Sequence, residues 1–488
     1  MGEMIKDTQA HRSERVEAIK EKLRAVLADH KVKTTDIQAM SGPSVTTYKI
    51  YPVGGVSCAK IMRLQDDIEL SLNAGGVRVV TLPDSVGVEV ANEHPSIVPL
   101  KSLLEDAAFR ESKAALPVAI SRDAQENPKI IDLAQAPHIL MAGATKQGKT
   151  EAVHSLILSL LCSRTPGEVK FVLIDPKNYE LEAYKTLRRE YIAELPDVEK
   201  KAVLTSAEEA EKSLRSLCLE LEKRYETLSE GDARNIRQYN AEAKEKMPYI
   251  VAVVDEFADL TVPMWGGRKN GGVLNYIVRL AQTGRAVGIH LVITTQRPSP
   301  AIITGAIKAN FPTRLAFRTA ARQDSFAIID VPGAERLIGG GEMLLECGGE
   351  ITRVQGAHVD EKDIDAVIRA IGSRQCDGKI HDTPYCLPSV EDAGAESSGS
   401  GGTTCLHNID DRFEEAARLV VTTQIGSASH LQLKLGIGYA RAGKLTDQLE
   451  AAGIVGPLEG TKPGKVLVRT IDELEKKLKA YNDPESVI

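Results

Sequence analysis

The first quarter of the chain has the hydrophobic pattern of a small mixed domain. Residues 13–30 place apolar side chains every three or four positions, as an amphipathic helix does. Alternating apolar and polar residues then predict strands around 45–51 and 77–82, with a helix at 59–72 between them. We therefore predict an N-terminal α+β domain over residues 1–116.

Over residues 117–373 the pattern changes to apolar runs of strand length that alternate with helical stretches. The readable strands are 137–142, 169–174, 249–254 and 290–295. Such alternation is typical of a parallel sheet with crossover helices, so we predict a larger α/β domain here.

The composition changes again after this domain. Residues 374–406 include a run rich in Ser and Gly, which predicts a flexible linker. In the tail, 407–488, residues 431–445 have the pattern of two helices joined by a turn, and 457–468 that of a hairpin. This order of elements favours a winged helix.

The charge of the tail indicates what this winged helix binds. Between His430 and Thr470 there are six Lys or Arg residues and three Asp or Glu residues. Arg441 and Lys444 lie on one face of the predicted second helix, where they would contact DNA. A winged helix that docks onto a protein remains the alternative.

The overall composition excludes several classes of protein. The chain has 488 residues, a net charge of −7 and seven cysteines without CxxC spacing. The acidic balance argues against a protein that coats nucleic acid, and the scattered cysteines fit reduced thiols. Residues 1–15 are polar, and no apolar run approaches the roughly 18 residues that a membrane span needs. We expect a soluble, cytoplasmic protein without a membrane segment.

A phosphate-binding motif lies between a predicted strand and a predicted helix. This GxxxxGK[ST] loop consists of Gly143, Ala144, Thr145, Lys146, Gln147, Gly148, Lys149 and Thr150. In such loops the backbone N–H groups surround the phosphates, the lysine reaches the β- and γ-phosphates, and the last hydroxyl binds Mg²⁺. We predict a site for ATP and Mg²⁺, with Lys149 as a catalytic residue and Thr150 as a metal ligand.

Two carboxylates end the strand 249–254. We predict that Asp255 holds Mg²⁺ through water and that Glu256 is the general base. The neighbouring strand ends near Gln296, which would face the γ-phosphate and sense hydrolysis; a turn residue with a structural role is the alternative. Asp175-Pro176-Lys177 ends a further strand at the same edge, and a structural role remains open for this stretch.

Several cations complete the candidate chemistry. Arg285 ends the helix before the Gln296 strand, and in a ring it would reach the adjacent subunit as an arginine finger. Residues 297–323 contain no Asp or Glu, and their cations are Arg297, Lys308, Arg314, Arg318 and Arg322. This basic strip fits a site that follows the phosphates of DNA, with ordinary solvated charge as the alternative.

These features resemble the FtsK/SpoIIIE family of double-stranded DNA translocases. The stretches that carry the resemblance are Pro137-His138-Ile139-Leu140, the phosphate-binding loop, Ile174-Asp175-Pro176-Lys177, Val254-Asp255-Glu256-Phe257-Ala258-Asp259-Leu260, Gly288-Ile289-His290-Leu291, Thr295-Gln296-Arg297-Pro298, Ile307-Lys308-Ala309-Asn310, Pro312-Thr313-Arg314-Leu315-Ala316-Phe317 and, in the tail, Ile437-Gly438-Tyr439-Ala440-Arg441-Ala442. The N-terminal region is similar to the family's α domain and the tail to its winged-helix γ domain.

The resemblance implies a RecA-like P-loop ATPase core that forms a homo-hexameric ring around double-stranded DNA. It also implies that Arg285 is the finger and that Arg297, Lys308 and Arg322 line the pore. Phe326 stands where family members often carry a pore arginine, Ala440 where some carry the asparagine of the recognition helix, and the family's membrane anchor is absent. The loop reads Thr145-Lys146-Gln147 where the family usually has Thr-Gly-Ser.

We therefore expect a DNA-stimulated ATPase that translocates DNA in chromosome partition and cell division. The tail would orient or load the motor, or bind a recombinase or division protein. A DNA pump or coupling ATPase of a plasmid, phage or conjugative element is the related alternative, and a protein-export ATPase is a weaker one. A passive DNA-binding regulator would not need Lys149, Glu256 and Gln296.

Overall fold

The computed structural model describes residues 2–196, 201–261, 271–374 and 385–390. In the tail it describes 412–424, 427–435 and short pieces between 445 and 474. Contacts divide the chain into two compact units, Met1–Val390 and Glu391–Ile488.

The N-terminal region forms an antiparallel sheet covered by helices. Its helices are α1 (Gly2–Asp29), α2 (Cys58–Met62) and α3 (Gln65–Leu72), and its strands are β1 (Thr34–Ser41), β2 (Val45–Pro52), β3 (Arg78–Thr81) and β4 (Val86–Ala91). The sheet order is β1-β2-β4-β3. The helix predicted at 59–72 is two helices in the structure, and β1 and β4 were not predicted.

The second region is built on a ten-stranded sheet. Its strands are β5 (Pro117–Asp123), β6 (Pro128–Asp132), β7 (His138–Ala142), β8 (Val169–Ile174), β10 (Val203–Leu204), β11 (Tyr249–Val254), β12 (Ile289–Thr295), β13 (Thr313–Phe317), β14 (Glu342–Cys347) and β15 (Glu350–Gly356). Their order across the sheet is β10-β8-β11-β12-β7-β13-β14-β15-β5-β6. The pairs from β10 to β13 are parallel, as predicted. The pairs from β13 to β6 are antiparallel, so the sheet is mixed.

Helices cover both faces of this sheet. They are α4 (Leu100–Leu104), α5 (Ala107–Arg110), α6 (Lys149–Ser163), α7 (Arg188–Tyr191), α8 (Ala207–Glu230), α9 (Ile236–Glu242), α10 (Phe257–Thr261), α11 (Gly271–Val287), α12 (Gly305–Asn310), α13 (Arg322–Ile329) and α14 (Glu361–Arg374). Short 3₁₀ turns lie at Glu182–Leu187 and Ala334–Arg336. Along β7, Ile139 and Met141 belong to the core on one face and Leu140 and Ala142 to the core on the other. A strand buried on both faces has to be apolar throughout, which is why its sequence is a continuous apolar run.

Ion pairs and a hydrogen bond join the N-terminal region to the second region. Arg336 binds Asp66 at 2.8 Å and Glu69 at 2.5 Å. Arg353, which is almost fully buried, donates to the carbonyl of Gly76 at 2.9 Å and pairs with Glu342. The two sheets therefore belong to one compact unit.

Part of the predicted linker lies on the second region. Strand β16 (Tyr385–Cys386) pairs with β9 (Ala193–Glu194), and Leu387 is buried. These apolar and hydrogen-bonded residues are anchored although their neighbours in sequence have linker composition. Residues 391–406 lie outside the described residues.

The tail has a core of its own. Its described helices are Phe413–Thr423 and Ala428–Leu435, and Val455 and Val466 form an antiparallel bridge at the base of the predicted hairpin. Arg441 and Lys444 lie outside the described residues, so their assignment to DNA remains a prediction.

Candidate functional site

The phosphate-binding loop joins β7 to α6, as predicted. The loop turns at Gly148, where φ is +103° and a side chain would overlap the backbone of Gly341. A side chain at Gly143 would lie 2.7 Å from the Cβ of Phe317. Both positions therefore need glycine for a close backbone approach.

Neighbouring elements hold the loop in place. The amide of Gly143 donates to the carbonyl of Thr295 at 3.3 Å, and the amide of Ala144 donates to Arg318 at 2.8 Å. On the other side, the amide of Gly341 donates to the carbonyl of Gln147 at 3.1 Å. The loop is thus supported by the ends of two strands and by a glycine segment, residues 339–341, which the sequence reading did not single out.

Lys149 is the clearest sign of an anion site. It is 4% exposed, and among the described residues its Nζ has no hydrogen-bond partner. Burial lowers the pKa of Lys149, while the carboxylates of Asp255 and Glu256 oppose that shift. A buried ammonium without a hydrogen-bond acceptor is costly. The residues therefore fit a polyphosphate, which would supply the missing acceptors.

The acidic pair at the end of β11 is held by the next strand. Asp255 Oδ1 accepts from the Thr294 hydroxyl at 2.5 Å. Glu256 Oε1 accepts from the Thr295 hydroxyl at 2.8 Å. Glu256 also has a φ of +45°, which is unusual for a residue with a side chain. The hydrogen bonds and the strained backbone fix both carboxylates at the carboxyl edge of the sheet.

Gln296 connects this acidic pair to the phosphate-binding loop. Its backbone amide donates to Glu256 Oε2 at 3.0 Å. Its side-chain Oε1 accepts from the Thr145 hydroxyl at 2.8 Å. The structure therefore brings together Lys149, Thr150, Asp255, Glu256 and Gln296, at one edge of the sheet.

The loop after β8 adds Lys177 and Glu180, two charged groups for which no role was predicted from the sequence. Asp175 is fully buried and accepts from the amides of Lys177, Tyr179, Glu180 and Leu181. Lys177 Nζ then lies 3.5 Å from Glu256 Oε2. Burial and the Asp255 carboxylate raise the pKa of Glu180, and a hydrogen bond from the Thr150 hydroxyl opposes them. The signal for this loop in the sequence was an acidic residue, Asp175, that follows an apolar strand and precedes a proline.

Arg285 lies near the amino-terminal end of β12, whereas the phosphate-binding loop lies at the carboxyl ends of the strands. It is exposed, and its Nη2 donates to Gln135 Oε1 at 3.3 Å. The intervening strand β12 has seven residues, so its two ends are about 20 Å apart. Arg285 is therefore too far away to act at the site of its own chain.

Folding brings carboxylates to the basic strip. Arg297 pairs with Asp259 at 3.3 Å, and both Lys308 and Arg314 pair with Asp330, at 2.6 and 2.7 Å. Arg322 is exposed and lies over the ring of Phe326 at 5.7 Å. The strip is free of acids in sequence but not in space, because Asp259 and Asp330 come from outside the segment.

A cavity of about 250 Å³ opens beside the phosphate-binding loop. Its walls come from the loop, the glycine segment and the N-terminal region, and they include Gly148, Glu151, Gly340, His358 and Ser44. Ser44 Oγ is buried and has no hydrogen-bond partner among the described residues. The cavity can therefore receive a polar group adjacent to bound phosphates.

Three family models match successive parts of the chain. The FtsK alpha domain matches residues 2–92, the FtsK/SpoIIIE family residues 99–300, and the FtsK gamma domain residues 407–469. The chain is 39% identical to the DNA translocase FtsK of Chlorobaculum tepidum, over 96% of this chain and 58% of that protein. It is 38% identical to the DNA translocase SftA of Bacillus subtilis, over 94% of this chain and 46% of that protein. The chain thus spans about half the length of the curated relatives it matches.

A solved structure supports the fold. The pCW3 conjugation coupling protein TcpA, in its monomer form with ATPγS, is similar with a TM-score of 0.51 and 21% identity, over 72% of this chain and 99% of that one. With the family matches, this confirms the predicted RecA-like P-loop ATPase core, N-terminal α+β region and winged-helix tail. Within the described part of the chain, no helix combines the length and apolar character that a membrane span requires.

Proposed function

The chain belongs to the FtsK/SpoIIIE family, and from this premise we propose that it is an ATP-driven motor that moves double-stranded DNA. The observation that carries the proposal is the buried ammonium of Lys149 at the phosphate-binding loop, which has no hydrogen-bond acceptor among the described residues. An acidic pair and a polar sensor lie at the same edge, which is the set of groups that phosphoryl transfer to water requires.

ATP binds with its β- and γ-phosphates against Lys149 and the loop amides. The adjoining cavity receives the nucleoside, since it begins at Gly148 where the loop enters α6. Thr150 and Asp255, the latter through water, would hold Mg²⁺, and the ion would supply positive charge that neutralises the phosphates. The hydrogen bond from Thr294 to Asp255 orients that carboxylate.

Glu256 accepts a proton from the attacking water, and Gln296 reports the state of the γ-phosphate. Gln296 suits this role because it contacts Thr145 through its side chain and Glu256 through its backbone amide. A change at the phosphates can thus reach the segment that follows Gln296, where the basic strip begins.

Six copies form a ring in which Arg285 completes the site of the neighbouring subunit. The position of Arg285 near the amino-terminal end of β12, away from the site of its own chain, supports action on another copy. Arg297, Lys308 and Arg322 face the DNA backbone, and the tail, through Arg441 and Lys444, orients or loads the ring during chromosome partition and cell division. A recombinase or division protein is the alternative partner of the tail.

The decisive experiment is an ATPase assay with duplex DNA, with single-stranded DNA and without DNA. Duplex DNA should raise turnover most. Lys149→Ala should lose nucleotide affinity and turnover, whereas Glu256→Gln should bind ATP and stall. Equal turnover in all three conditions would exclude a duplex-driven motor, and parental turnover in Glu256→Gln would refute the assignment of the base.

A further inference from the structure

Glu256 has two lysines beside the same carboxylate oxygen. Lys177 Nζ lies 3.5 Å from Glu256 Oε2, and Lys149 Nζ lies 3.9 Å from it. The side chain of Lys149 is 4% exposed, but that of Lys177 is 41% exposed. The two cations therefore differ in how freely they can move.

The loop that carries Lys177 is held by its backbone. Asp175 accepts hydrogen bonds from four successive or nearly successive amides, including that of Lys177 itself. The side chain of Lys177 is not needed for these bonds. A lysine at this position is thus better explained by its charge beside Glu256 than by the packing of the loop.

The two lysines cannot have the same task once ATP is bound. Lys149 belongs to the phosphate-binding loop, and the lysine of such a loop binds the β- and γ-phosphates. When Lys149 turns to the phosphates, Lys177 is, within the described part of the chain, the cation that stays beside Glu256 Oε2. The contact of 3.5 Å between Lys177 Nζ and Glu256 Oε2 then gives Lys177 a task that Lys149 no longer performs, which is to hold the carboxylate in place.

We propose that Lys177 is a positioning residue for Glu256. It remains beside Oε2 after Lys149 has moved to the phosphates, and its charge holds the carboxylate oriented toward the attacking water. In the step itself, the water oxygen bonds to the γ-phosphorus, the bond to the β–γ bridging oxygen breaks, and the proton of the water goes to Glu256. The inference rests on the proposed ATP hydrolysis.

The test is steady-state ATP hydrolysis by the full chain with saturating duplex DNA. Lys177→Ala should lower kcat about tenfold or more and leave KM for ATP unchanged, because general-base catalysis contributes about 10²- to 10⁴-fold. Lys177→Arg should restore most of kcat, since it retains the positive charge. Lys185→Ala is the matched control: Lys185 is a more exposed lysine, paired with Glu182 on the following 3₁₀ turn, and its removal should change neither constant.

Other outcomes would overturn the inference. A rise in KM at unchanged kcat would mean that Lys177 binds the phosphates, and parental kcat in Lys177→Ala would mean that it does not act on Glu256. A melting temperature as low as that of Asp175→Asn would indicate a role in folding of the loop. If the parental chain hydrolyses no ATP, the proposed function fails together with the inference; normal parental turnover with normal kcat in Lys177→Ala overturns the inference alone.

Discussion

The Thr145 hydroxyl donates a hydrogen bond of 2.8 Å to Gln296 Oε1, which joins the phosphate-binding loop to the end of the adjacent strand. If this bond transmits the state of the nucleotide, Thr145→Val and Gln296→Ala should lower DNA-stimulated turnover by similar factors while ATP still binds. The double variant should be no worse than either single one, because both remove the same link.

Gln147→Ala provides the control for that cycle. Gln147 lies on the same loop, and its side chain bonds only to the loop carbonyl of Thr145 among the described contacts. Its loss should have a smaller effect on turnover. If the defects of Thr145→Val and Gln296→Ala multiplied in the double variant, the two residues would be acting independently.

Arg285 should act only between subunits. Arg285→Ala and Glu256→Gln chains should each be inactive, but mixed rings should recover turnover where an intact Glu256 faces an intact Arg285. Arg279→Ala is a suitable control, because Arg279 is an exposed arginine of the same helix that pairs with Glu222. An absence of recovery at every ratio, in rings shown to be mixed, would contradict action across a subunit boundary.

The sequence was sufficient for the parts of the site that are local. The strand, the loop and the helix around Lys149 follow one another in the chain, and so do the acids that end β11. Each is specified by a short pattern, and the structure has each at the predicted place.

Contacts between distant segments could not be predicted in the same way. The pairing of Lys308 with Asp330 depends on how α12 and α13 pack, and the approach of Lys177 to Glu256 depends on the adjacency of β8 and β11. The segment 297–323, which has no acidic residue in its sequence, is therefore partly neutralised by carboxylates from elsewhere in the fold. Lys177, for which no role was predicted, lies beside the proposed base Glu256.

Two buried histidines should make folding sensitive to acid. Burial, reinforced by His290, lowers the pKa of His138 from 6.5 to about 3, and burial lowers the pKa of His290 from 6.5 to about 4. Below pH 6.5 these two histidines bind protons in the unfolded chain but stay neutral in the folded chain. The contribution of these histidines to the free energy of unfolding should thus be fully present above pH 6.5. It should fall toward pH 4, by up to about 1.4 kcal/mol per pH unit for each histidine.

Urea unfolding between pH 8 and pH 4 measures this effect. His138→Gln removes one of the two titrating groups and should therefore reduce the dependence on pH. The fold should survive, because the amide oxygen of the glutamine can still accept from the amide of Leu291, which donates to His138 Nδ1 in the parent. His94→Gln, at an exposed position, should leave the dependence unchanged. An identical acid slope in His138→Gln and the parent would show that other groups cause it.

Tyr385 should stabilise the segment of the predicted linker that is anchored to the second region. Its hydroxyl bonds to Glu220 at 2.5 Å and to Arg224 at 2.8 Å, and Arg224 is 2% exposed. Tyr385→Phe would leave two buried charged groups short of a partner, which should cost about 1–3 kcal/mol of unfolding free energy. Tyr225→Phe, which removes an exposed hydroxyl bound to the carbonyl of Thr283, should cost less; equal losses would mean that burial of the Tyr385 cluster does not matter.

The basic strip and the tail should contribute differently to DNA binding. Lys308→Ala with Arg322→Ala should weaken binding to every duplex and flatten its salt dependence, since each lost phosphate contact lowers the slope by about one. The fold should survive, because Arg314 still holds Asp330 when Lys308 is removed. Lys101→Ala with Arg110→Ala removes the same charge from exposed positions on α4 and α5 and should change the slope little.

Removal of residues 408–488 should have the complementary effect. A motor without its tail should move on any duplex but lose preference for a particular site, because base edges rather than phosphates carry sequence information. Binding and translocation on duplexes of different sequence separate the two contributions. Loss of DNA-stimulated hydrolysis on removal of the tail, together with normal movement of the strip variant, would contradict this division. The tail would then be the main DNA contact of the motor. The basic strip would be a solvated surface that its neighbouring carboxylates partly neutralise.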